Sequence, residues 1–175
     1  MNSSPPDDNA SGVAAGRGDN APLKLEQFLP YRLNVVASLV SQALSRIYAD
    51  RYGIGVPEWR VLVTLGQYGM MTGKAIGQHS HMHKTKVSRA VALLESRKLV
   101  MRRSNRADLR EAFLALTPAG RAMYDDLAPI ALDFADRLSE TVDSADRAAF
   151  ERAVDRLIER SAKLAAEFAK GKATP

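Results

Sequence analysis

A chain of 175 residues, 46% hydrophobic and 26% charged, can bury a substantial core and suits one domain or one domain with an appended element. Cysteine is absent, which excludes disulfides, thiolate metal sites and thiol redox sensing. No apolar run approaches the roughly 20 residues that cross a bilayer, and the N-terminus lacks the apolar stretch of a signal peptide, so a soluble cytoplasmic protein is expected.

The net charge of +5 is unevenly spread. From Lys74 to Arg110 ten Lys or Arg stand against Glu95 and Asp108, a local +8, and the rest of the chain sums to −3. A basic segment inside a mildly acidic protein is the electrostatic footprint of a nucleic-acid surface.

Residues 1–23 are rich in Ser, Pro, Gly, Asp, Asn and Ala. They offer too little apolar surface to offset ordering entropy and read as a disordered tail. From 25 to 52, Leu33, Val36, Ala37, Val40, Leu44, Ile47 and Tyr48 keep helical spacing, predicting one long helix ended near Gly53. Pro57 opens a second helix, with Glu58 in its first turn and Trp59, Leu62, Val63 and Gly66 along one side, and Gly69 stops it. Thr72 is the N-cap of a short third helix through Ile76 to His79, and Ser80-His81-Met82 makes a turn.

The next helix, His83 to Lys98, is the centre of the reading. Val87, Ala90, Val91 and Leu94 fall at i, i+3, i+4 and i+7 and form a face for burial. Lys84, Thr85, Ser88, Arg89 and Ala92 remain on the free face. Cations in the first turns sit badly in the helix dipole, and a phosphate would offset that. A short helix, a tight turn and a longer basic helix make a helix-turn-helix.

After Lys98 the period changes. Two strand-like runs, 99–103 and 112–116, flank the polar segment 104–111 and predict a β-hairpin with a basic tip, a wing. Thr117-Pro118 starts a further helix through Met123, Leu127, Ile130, Ala131, Phe134, Leu138 and Val142. Asp143-Ser144 caps a last helix carrying Phe150, Val154, Leu157, Ile158 and Leu164, ending about Gly171, with residues 171–175 as a C-terminal tail. A winged helix-turn-helix of about 70 residues cannot cover all these apolar faces. A second copy of the chain can, which predicts a mostly helical dimer.

Four pieces resemble the MarR (multiple antibiotic resistance regulator) family of winged helix-turn-helix repressors. They are Pro57-Glu58-Trp59-Arg60-Val61-Leu62; Lys84 to Val91 followed by Leu94-Glu95; Asp108-x-Arg110; and Leu116-Thr117-Pro118-Ala119-Gly120. The resemblance implies a mainly α fold with a small β-wing. It places a single domain at 24–170, with the winged helix-turn-helix at 54–117 and an interlocked homodimer built from helices at 25–52 and 118–170. It also implies two recognition helices in major grooves of a pseudo-palindromic operator, with Thr85, Ser88 and Arg89 toward bases and Lys84 and Lys86 on phosphates. Arg110 matches the wing arginine of the minor groove, Asp108 its partner, and Arg106 adds charge at the wing tip. Lys98 departs from the pattern, standing where the family often has glycine.

The resemblance further implies a small aromatic or phenolic effector between the dimer helices and the DNA-binding lobe. Arg32, Tyr48, Trp59 and Met70 are the candidate contacts, with Tyr52, Met71, Arg46 and Arg60 as further possibilities; core packing is the competing account of the Met and aromatic residues. His79, His81 and His83 fall within five residues, but no acid or thiolate completes a metal site, so they read as turn residues near phosphate. No phosphate-binding Gly loop, nucleophile elbow or zinc-protease motif occurs, and neither a catalytic residue nor a cofactor is expected. A regulator without an effector and an architectural DNA-binding protein of low specificity are the alternatives.

Overall fold

The computed structural model describes residues 22–104 and 112–171. By contact density the chain divides after Val40, and each part is described by itself. In the first, a 3-10 turn at Leu25–Gln27 precedes the start of α1 (Leu29–Tyr52). The expected helix from residue 25 is thus split, and Pro30 supplies the reason. Inside a helix it would remove one i−4 hydrogen bond and clash with the preceding turn, whereas as the second residue of α1 it costs nothing. Residues 22–39 are exposed.

The second part holds the C-terminal end of α1 and then α2 (Val56–Tyr68), β1 (Met71–Thr72), α3 (Gly73–Ser80), α4 (Lys84–Ser96), β2 (Val100–Ser104), β3 (Ala112–Leu116), α5 (Pro118–Ser139) and α6 (Ser144–Gly171). Local sequence signals fix most of these ends. The α2 start lies one residue earlier than expected. There Pro57 is the second helical residue, and the Glu58 carboxylate accepts from the Gly55 amide at 2.9 Å. Thr72 caps α3 by accepting from Ala75 N at 3.2 Å, and Thr117 caps α5 by accepting from Gly120 N at 3.1 Å. Gly69, at φ 75, ends α2. Helix α5 ends at Ser139, short of the expected Val142, and includes Pro129.

The sheet is antiparallel in the order β1-β3-β2. The hairpin register pairs Val100 with Leu116 and Ser104 with Ala112. The third strand, β1, pairs Met71 with Leu114 and Thr72 with Phe113. Two residues are too few to show an alternating pattern, so the sequence predicts only the hairpin.

One core serves this unit. It joins Tyr48 of α1, Ile54, Trp59, Val61, Leu62 and Leu65 of the α2 region, Ile76 of α3, Val87, Ala90, Val91 and Leu94 of α4, Leu99, Val100 and Leu114 of the hairpin, and Met123 and Leu127 of α5. Two glycines allow close approaches around it. A Cβ on Gly66 would lie 2.4 Å from the Tyr124 ring, and one on Gly120 would lie 2.0 Å from the Leu99 carbonyl oxygen. The last helix takes no part in this core, since every residue from 144 to 163 is exposed.

Candidate nucleic-acid interface

Helix α4 is held from below and free above. Val87, Ala90, Val91 and Leu94 are buried to 3% exposure or less. Lys84, Thr85, Lys86, Ser88 and Arg89 are all exposed and lie along the first turns of one helix, with no acidic residue in its first turn. The structure therefore brings together the five recognition-helix residues singled out from the sequence. Arg106, Asp108 and Arg110 of the wing lie outside the described residues.

The approach to α4 is a tight turn. His81 takes the left-handed conformation at φ 52 and ends α3, and the Met82 amide donates to the Gly77 carbonyl at 3.0 Å. A Cβ on Gly77 would come 3.0 Å from the Met82 carbonyl oxygen, so glycine suits this crossing of α3 and the turn. His83 is the N-cap of α4, and His79 lies against the Tyr68 ring with centroids 4.4 Å apart. Among the described residues no group of three or more His, Asp or Glu is placed to hold a metal.

The exit from α4 shows what Lys98 does. The Lys98 amide donates to the Glu95 carbonyl and the Leu99 amide to the Leu94 carbonyl, both at 2.9 Å. This is the paired bonding of a Schellman ending, with Lys98 at φ 58 in the position that favours glycine. Leu99 and Leu94 are both buried, the apolar pairing that often accompanies that motif. Leu99 is consumed by the turn, so β2 begins at Val100 rather than at Leu99. Thr117 then locks the corner, its hydroxyl donating to the Lys98 carbonyl at 2.7 Å and its amide to the Leu99 carbonyl at 3.0 Å.

Among the described cations of the basic segment, Arg97 and Arg102 are engaged by other groups of the protein. Arg102 on β2 pairs with Glu95 on α4 at 2.7 Å, and Arg97 donates to the Tyr52 and Gly53 carbonyls at 2.9 and 3.3 Å. By sequence alone both count as surface charge. The Arg97 partners are 45 and 44 residues away, a separation at which no local pattern operates.

Between α3, α4 and the sheet lies an open cleft of about 590 Å³ lined by Lys74, Met82, His83, Lys84, Val87, Ser88, Arg102 and Leu114, among others. None of Arg32, Tyr48, Trp59 and Met70 lines it. Tyr48 and Trp59 instead stack on each other, rings 5.4 Å apart at 16°, at 2% and 7% exposure. Burial raises the Tyr48 phenol above its ordinary pKa, with the nearby Arg60 guanidinium opposing and Glu58 adding to the rise. Met70 is 52% exposed at the end of α2, and Arg32 is exposed on α1.

Comparison with known proteins bears on this geometry. The MarR family model matches residues 54–112, the segment from the start of α2 into β3. A MarR-family transcriptional regulator from Silicibacter pomeroyi is 27% identical, with a TM-score of 0.67 over 78% of this chain and 92% of that one. A second regulator from that organism is 28% identical, with a TM-score of 0.60 over 85% and 92%. Bordetella bronchiseptica BpsR, in a structure described as the mechanism by which 6-hydroxynicotinic acid regulates its DNA binding, is 19% identical with a TM-score of 0.61 over 72% and 98%. No curated protein matches. With the helix-turn-helix and three-stranded wing sheet in place, residues 54–112 carry the segment of the MarR family model, and the chain shares the fold of MarR-family transcriptional regulators.

Proposed function

We propose that the chain is a homodimeric, sequence-specific repressor that binds a pseudo-palindromic double-stranded DNA operator in the cytoplasm and is released by a small aromatic or phenolic ligand. The observation that carries the DNA-binding part is α4. Its four apolar residues are anchored in the core, while Lys84, Thr85, Lys86, Ser88 and Arg89 are presented together on the free side. Lys84 and Lys86 would hold phosphates and set the register. Thr85, Ser88 and Arg89 would reach base edges, where sequence is read. Arg110 would enter the minor groove, with Asp108 fixing it and Arg106 adding a phosphate contact.

The dimer is supported by α6. Phe150, Val154, Leu157 and Ile158 recur at helical spacing and are 36–56% exposed. A second copy offering the same face covers this stripe, as closed twofold symmetry allows. The two α4 helices would then meet half-sites about 10 bp apart.

Ligand response is supported by the fold shared with BpsR, whose DNA binding responds to 6-hydroxynicotinic acid. A regulator without an effector is favoured by a different observation, the stack of Tyr48 on Trp59 at 2% and 7% exposure, which leaves little ring surface open to a guest. Selecting bound duplexes from a random pool, then screening aromatic acids for release, tests the whole reading. Short twofold-symmetric sequences released by an aromatic acid are expected. Recovery of the pool without enrichment would identify an architectural protein, and symmetric sequences that no acid releases would favour the regulator without an effector.

A further inference from the structure

The residue that caps the C-terminal end of the recognition helix reaches back to the end of α1. Arg97, the C-cap of α4, places Nη1 2.9 Å from the Tyr52 carbonyl oxygen and 3.3 Å from that of Gly53. These carbonyls lie at the C-terminal end of α1, where helical oxygens lack partners and the dipole is negative, so a guanidinium suits the position. Gly53, at φ 59, turns the chain there. The same end of α1 is tied to α5, because the Tyr52 hydroxyl donates to the Asp126 carboxylate at 2.9 Å and Arg51 lies 3.5 Å from it.

On its other side Arg97 stands on a fixed base. The Schellman turn at Lys98 and Leu99 is bonded to Thr117 at the start of α5. The guanidinium thus joins two elements that are each held by α5. Its side chain is exposed, and exposed polar contacts of this kind contribute little to stability. Its geometry, by contrast, fixes where the end of α4 lies relative to the end of α1.

We propose that Arg97 is a positioning residue for DNA recognition, setting the aim of α4 relative to α1 and so the separation of the two recognition helices. This rests on the dimeric reading above, in which α1 contributes to the contact between copies. Truncating Arg97 should leave the chain folded and able to touch DNA while loosening the spacing it accepts.

The test uses the full chain and three duplexes: the selected operator and versions with its half-sites moved apart by one and by two base pairs. Wild type is expected to prefer the selected spacing by about tenfold or more, the scale of an ordinary coupling between sites. Arg97→Ala should bring that preference to within about threefold, at nearly unchanged melting temperature. Arg97→Lys should restore part of it, since an ammonium can donate to the same carbonyls. If the alanine variant does not fold, Arg97→Gln carries the same expected loss. A variant with the wild-type spacing preference overturns the proposal; a uniform loss on all three duplexes with a shallower salt dependence does so too and makes Arg97 a phosphate contact. Absence of any spacing preference in wild type would overturn the dimeric reading and this proposal with it.

Discussion

Helices α4 and α6 carry the same kind of apolar repeat and meet opposite fates. Val87, Ala90, Val91 and Leu94 of α4 are between 0% and 3% exposed, while Phe150, Val154, Leu157 and Ile158 of α6 are between 36% and 56% exposed. The periodicities are equivalent, so the difference lies in the neighbours. Helix α4 is enclosed by α2, α3 and the sheet, all short elements joined by tight turns. Helix α6 follows α5 and is exposed at every residue from 144 to 163, with Glu151, Arg152, Asp155 and Arg156 around the stripe. A repeat of apolar residues states that a face must be covered; it does not state whether the cover is in the same chain.

The contrast can be broken most forcefully from the α4 side. Leu62, fully buried on α2 in the core that seats α4, should cost about 4 kcal/mol as Leu62→Ala, measured by urea unfolding followed through helical circular dichroism. Gly120→Ala comes next. Its Cβ would have to occupy space 2.0 Å from the Leu99 oxygen, a backbone atom that Thr117 also holds, and a loss of about 3 kcal/mol is expected in the same assay. On the α6 side the expectation reverses. Ile158→Asp should leave the unfolding of the single chain within about 0.5 kcal/mol of wild type, yet weaken association by about 2 kcal/mol in sedimentation equilibrium. Equal damage to both quantities would mean that α6 is not an interface helix.

The smallest effect sharpens the corner where α4 ends. Lys98 at φ 58 bears the cost of a left-handed backbone without being glycine. Lys98→Gly should therefore stabilise the chain by about 0.5–1 kcal/mol against urea, provided the positive charge does no other work there. No change would mean that the lysine side chain repays its own backbone.

Much of this architecture was legible because its signals are local. Thr72 and Thr117 cap the helices they are expected to cap, Gly53 and Gly69 end theirs, and the short apolar run 112–116 marks a strand. The buried and free faces of α4 also follow from spacing alone. Features that depend on distant partners escaped. Strand β1 exists because Met71 and Thr72 find Leu114 and Phe113, and two residues carry no period of their own. Arg97 and Arg102 read as surface charge because the carbonyls and carboxylate that engage them become neighbours only after folding. By sequence Tyr48 and Trp59 each read as pocket or core, and only the geometry shows ring on ring.

The central claim is that two chains, joined through faces such as that of α6, present two α4 helices to one DNA duplex. Sedimentation of the full chain with a duplex carrying the selected operator tests it directly. A saturating complex of two chains per duplex is expected, lost in Ile158→Asp at concentrations where wild type is fully bound. A saturated complex of one chain per duplex, or an Ile158→Asp variant that binds as wild type does, would contradict it.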